Sequence, residues 1–133
     1  MFSYYLEDGE RGFTLIELMV VVLILGILFS LAVVTYAGVR NSGFDVEAKA
    51  NLRNGVTAAQ AYYTEKDSTF AGMNAFELEI FARGISFRDG DVNTDNEVYV
   101  SDVTSSEYTL RCRSQSGIVF AATGEHTKVT YNF

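Results

Sequence analysis

At 133 residues the chain holds one small domain plus a helix, with no room for a second core. A net charge of −7 gives no electrostatic reason to bind nucleic acid, and a single cysteine excludes an intrachain disulfide. Proline is absent, and the apolar residues (48% of the chain) gather near the N-terminus.

Residues 1–12, MFSYYLEDGERG, carry three acids (Glu7, Asp8, Glu10) and one base, Arg11. The remainder has 14 acids and 9 bases, so its own charge is −5. Residues 18–38 then run without a charge, as LMVVVLILGILFSLAVVTYAG. At about 1.5 Å of rise per residue these cover roughly 31 Å of helix, enough to cross the hydrocarbon core of a bilayer. A helix apolar on every face suits a membrane better than a soluble core. One carboxylate, Glu17, stands at its start, where an unpaired charge in lipid would be costly. A secretory signal peptide places its cleavage point after the apolar core. Here the small residue Gly12 precedes that core, so cutting at Gly12 leaves the apolar helix on the mature chain as its new N-terminus.

The heptapeptide Gly12-Phe13-Thr14-Leu15-Ile16-Glu17-Leu18 ahead of an apolar run resembles the class III signal of type IV prepilins and pseudopilins. The resemblance implies an α+β fold, the type IV pilin fold, with a long N-terminal helix packed against a small antiparallel sheet of about four strands. It divides the chain into a cleaved leader (1–12), a transmembrane and later fibre-core half of the helix (13–43) and a globular head (44–133). It implies processing at Gly12 and Phe13 by a prepilin peptidase that also N-methylates the new Phe13 amine. It gives Phe13 and Glu17 an assembly role, the carboxylate of one subunit meeting the N-terminal amine of the next. The implied partners are identical subunits in a helical homopolymer, the peptidase, and an assembly platform with its ATPase. The precursor would sit as a single-pass protein in the inner, or cytoplasmic, membrane and then move to an extracellular surface filament.

The chain departs from the pattern in places. Its leader is acidic where related leaders are short and often basic. Arg40, Lys49 and Arg53 follow the span, so the positive-inside rule does not set the orientation. Many pilins close the C-terminal region with a disulfide, which one cysteine cannot do. Val34 stands about where related chains have a proline, so the helix should resist kinking between Gly26 and Val34. Gly26 and Gly38 each weaken a helix by about 1 kcal/mol, and they equally suit close approach between helices.

From Arg40 the composition turns polar while helical spacing continues through Ala48, Leu52, Val56, Ala59 and Tyr63. One helix is expected over 13–66, with a weak point at Asn41-Ser42-Gly43 and a mild contrary signal in the turn-forming pair Asn54-Gly55. Asn74-Ala75-Phe76-Glu77 has the form of an N-cap, opening a short helix that Gly84 stops. Asp89, Asp91, Asn93 and Asp95 imitate the first half of a calcium loop, as in the C-terminal region of some secretion pseudopilins. Thr94 stands where such a loop needs glycine and Val100 where it needs a bidentate acid, so a solvated acidic turn is the preferred reading and no cofactor is expected.

Strands are expected at 97–103, 107–113, 117–122 and 128–133, joined by short turns as a meander. Tyr108, Leu110 and Cys112 fall on one face, as do Val129, Tyr131 and Phe133, which makes Cys112 a small buried hydrophobe. His126 has no Cys or His partner nearby. There is no nucleophile–base–acid set, phosphate-cradling loop or zinc spacing, so the chain reads as structural and not as an enzyme. The leading function is a subunit of a type IV pilus for adhesion, surface motility or DNA uptake. A pseudopilin of a type II secretion system is the second, and a bitopic membrane-anchored binding protein is the third.

Overall fold

The computed structural model describes residues 12–133, which divide into two compact units, one ending at Ala37 and the other spanning Gly38–Phe133. The expected leader lies outside the described residues but for Gly12. Helix α1, Leu15–Glu65, contributes to both units.

In the first unit the helix carries no buried side chain, and it is long and apolar enough to cross a membrane. Its serine and threonine hydroxyls are satisfied within the helix. Ser30 Oγ donates to the carbonyl of Ile27 at 2.8 Å and Thr35 Oγ1 to that of Leu31 at 3.2 Å. Such back-bonding removes the cost of bringing a hydroxyl into lipid. Gly26 leaves the helix unbroken, and a side chain there would meet nothing within 4 Å.

In the second unit, α1 runs unbroken through the expected weak point at Asn41-Ser42-Gly43, with Ser42 Oγ donating to the carbonyl of Gly38. It buries Ala48, Leu52, Gly55, Val56, Ala58, Ala59 and Tyr62. The stripe therefore ends on Tyr62, not Tyr63. Each residue turns the helix by about 100°, and Tyr63 falls at the rim, where its hydroxyl meets His126 Nδ1 at 2.7 Å. Asp67 and Ser68 take left-handed backbone angles and stop the helix. The chain then returns through Phe70 and Met73, both buried, and is tied to the segment around Ser105 by Phe70 N donating to the Ser105 carbonyl at 3.1 Å. Helix α2, Ala75–Phe81, starts on the Asn74 cap, whose side chain accepts from Glu77 N at 3.0 Å.

The sheet has five strands in sequence order: β1 Phe87–Asp89, β2 Val98–Ser101, β3 Glu107–Arg113, β4 Val119–Glu125 and β5 Val129–Asn132. β1 pairs parallel to β2, and the others form an antiparallel meander. The extra strand β1 has one buried apolar residue, Phe87, and is too short to show alternation. β4 begins two residues later than expected because Gly117, at φ +92°, belongs to the turn, and it runs on to Glu125 because Glu125 N closes a tight turn on the Lys128 carbonyl. Tyr108, Leu110 and Cys112 do share one buried face of β3. That face, with Val98, Val100, Phe120 and Ala122, forms one core with the buried side of α1.

Candidate processing and assembly site

The residues at the head of α1 lie in the open. Phe13 is 80% exposed, and a Cβ added at Gly12 would meet nothing within 4 Å. Among the described residues no contact requires glycine at this position, and a need for a small residue would come from whatever acts on the chain.

Glu17 is held by its own first turn. Its Oε2 accepts from Thr14 N at 2.9 Å and from Thr14 Oγ1 at 2.8 Å, while Glu17 N donates back to Thr14 Oγ1 at 3.3 Å. This is a reciprocal capping box: residue and partner three apart satisfy donors that the helix start leaves free. The signal for it, Thr-x-x-Glu, is present in the sequence, but the motif draws attention to Glu17 alone. A carboxylate has about four acceptor positions, so Glu17 retains capacity for a further donor such as an ammonium. Its place in the first turn also suits the positive end of the helix dipole.

The calcium-like spacing does not produce a converging site. Asp89 Oδ1 accepts from Ala75 N at 2.9 Å, at the start of α2. Asn93 Oδ1 accepts from the Tyr99 hydroxyl at 2.7 Å, and Asp95 pairs with Arg113 at 3.3 Å. The loop is braced by Glu97, whose Oε2 lies 2.6 Å from Arg88 Nε and also accepts from the Thr94 hydroxyl. The Arg88 hydrogen bond, then that of Thr94, hold the Glu97 carboxyl below its usual range. Among the described residues no group of three His, Cys, Asp or Glu side chains could hold a metal ion. His126 packs on Tyr63 and Phe70.

The described residues thus combine a helix long and apolar enough to cross a membrane, an exposed and self-capped carboxylate at its head, and an α+β unit. The description "Prokaryotic N-terminal methylation motif" matches residues 8–33. The "Type IV major pilin protein PilA" of Myxococcus xanthus (strain DK1622) is 44% identical over 72 residues, covering 53% of this chain and 33% of that protein. The matched stretch thus spans about a third of the relative's length. No solved structure matches. The chain is thus similar to a type IV major pilin over about half of its own length, and it carries the N-terminal methylation motif at residues 8–33.

Proposed function

We propose that this protein is the structural subunit of a type IV pilus filament, serving adhesion, surface motility or DNA uptake. The observation that carries the reading is the sequence Gly12-Phe13-Thr14-Leu15-Ile16-Glu17 at the head of a helix whose apolar side chains are exposed among the described residues. Residues 13–43 anchor the precursor in the inner, or cytoplasmic, membrane, and residues 44–133 form the head. A prepilin peptidase cuts after Gly12 and methylates the Phe13 amine. An assembly platform and its ATPase then draw subunits into the surface filament.

In the filament the apolar helices pack side by side and remove their lateral surface from lipid and water. Glu17 accepts the Phe13 amine of a neighbour. A carboxylate among aliphatic helices is tolerated when paired and costly when not, so the pair fixes the register of docking. No catalytic step and no cofactor enter this function. The test is the intact mass and N-terminal sequence of protein sheared from the cell surface. Residues 13–133 plus one methyl group in the sheared fraction are the expected result. Processed chain confined to the membrane would point to a pseudopilin, and an uncut chain to a bitopic binding protein.

A further inference from the structure

The sheet order places two exposed faces of the second unit at opposite edges. At the β1 edge lies α2, with Phe76 73% exposed and Ile80 60% exposed, one turn apart on the same side. Phe76 borders an open cleft of about 430 Å³ shared with Glu79, Arg88, Asp89, Asn93 and Tyr99. Arg88 is engaged by Glu97, while Glu79 and Asp89 have no ion pair among the described residues, so the exposed Phe76–Ile80 face borders a polar cleft that carries two carboxylates without a cationic partner.

At the β5 edge the composition is reversed. Tyr131 and Phe133 are 39% and 48% exposed, with ring centroids 5.0 Å apart. Lys49 Nζ lies 5.3 Å from the centroid of Phe133 and 4.8 Å from that of Phe120, and Arg53 Cζ lies 5.3 Å from Phe133. Neither cation has a carboxylate within 4 Å among the described residues. This face is aromatic with a basic rim.

We propose that the two faces bind each other between copies of this chain, the Phe133–Tyr131 corner with Lys49 and Arg53 of one head seating on the Phe76–Ile80 face with Glu79 and Asp89 of the next. The contact rests on the filament reading and deepens it. Each face is aromatic or aliphatic at its centre and charged at its edge, and the charges are opposite, so each rejects a second face of its own kind. Because the faces differ and sit on opposite sheet edges, the contact is heterologous and open-ended, the type that makes fibres instead of closed dimers. An exposed aromatic beside an unpaired arginine is also the kind of anchor that carries binding energy once water is excluded.

The test uses the full chain in cells that make the fibre. Ile80→Cys and Tyr131→Cys together, treated in sheared fibres with a short bifunctional maleimide, are expected to give a ladder of covalent dimers, trimers and higher species. Either substitution alone should stay monomeric, since Cys112 is buried and is common to all the variants. Separately, Arg53→Glu and Glu79→Arg should each lower the yield of sheared fibre, and the two together should restore it. Fibres of normal yield that show no ladder, or charge reversals that leave yield unchanged, overturn the contact and leave the filament reading standing. Absence of the unsubstituted processed chain from the sheared fraction overturns the filament reading and the contact with it.

Discussion

Gly124 lies directly opposite Tyr108 in the β3–β4 ladder, and the ring of Tyr108 occupies the space that a side chain at 124 would need. The ring is fully buried and packs edge-on to Phe70 at 4.7 Å between centroids, so it has no easy way to move. Gly124→Ala should therefore destabilise the head by about 3 kcal/mol, the upper part of the range for overpacking a filled core. Thermal melting of the processed chain in detergent checks this. An unchanged melting temperature would mean that the ring can swing aside.

The same tyrosine makes stability sensitive to alkali. Its hydroxyl is buried without a hydrogen-bond partner among the described residues, and burial pushes its pKa from 10.0 to about 12. Burial, then the charge of Glu47, push the Cys112 thiol from 9.0 to about 11. Between each pair of values the unfolded chain has released a proton that the folded chain keeps. Stability therefore holds below about pH 9 and falls as pH rises toward 12. Tyr108→Phe should flatten the upper part of this decline and raise stability at neutral pH by about 1 kcal/mol, because it removes an unsatisfied buried group. Melting temperatures across pH 7 to 11.5 would reveal either effect, and a flat profile for the unsubstituted chain would contradict both pKa assignments.

Gly55 lies so close to the sheet that a side chain there would be crowded. A Cβ there would stand 3.1 Å from Val98 Cγ1, 3.2 Å from Leu110 Cδ1 and 3.4 Å from Phe87 Cε1. Alanine gains about 1 kcal/mol of helix propensity and meets this crowding, so the two effects oppose. Leucine has no such balance, and Gly55→Leu should cost about 3 kcal/mol in the same melting assay.

These residues also mark what sequence could convey. The pair Asn54-Gly55 reads locally as a turn, yet the tertiary contact with β1, β2 and β3 makes glycine the residue that lets helix and sheet approach. The head of α1 was the easiest part to read. Its motif is contiguous, and the uncharged run that follows is long and apolar enough to cross a membrane. The stripe on α1 was legible until its last turn, where one residue of drift moved burial from Tyr63 to Tyr62. β1 gave no periodic signal in three residues. The capping partner of Glu17 was written as Thr-x-x-Glu, but a local hydrogen bond was overlooked beside a long-range role.

The acidic loop shows how spacing misleads when side chains already have work. Asp89 caps the start of α2, Asn93 takes the Tyr99 hydroxyl, and Asp95 holds Arg113. Calcium would have to displace these bonds to gather its six to eight oxygens. Millimolar calcium, or its removal with a chelator, should leave the melting temperature within about 1 °C, whereas stabilisation by a bound ion at 100 times its dissociation constant would be about 2.7 kcal/mol. A rise of several degrees on adding calcium would revive the site.

The two ends of the assembly motif should separate in their effects. Gly12→Val places a branched side chain where the fold offers open space, so the chain should still insert and fold. It should fail to be processed, because a bulky residue would occupy the peptidase's small site, and an unchanged mature N-terminus would refute that. Glu17→Val removes the capping bonds to Thr14 and, on the proposed filament reading, also the acceptor for a neighbour's Phe13 amine while leaving the cut intact. Loss of a capping residue alone costs about 1 kcal/mol, which a long helix held in a membrane can absorb. Glu17→Gln sharpens the distinction, since its amide oxygen can still cap Thr14 but carries no charge. If the carboxylate serves only as a cap, Glu17→Gln fibres should be sheared off at normal yield. If it pairs with the neighbouring amine, both substitutions should be cleaved normally and fail to assemble.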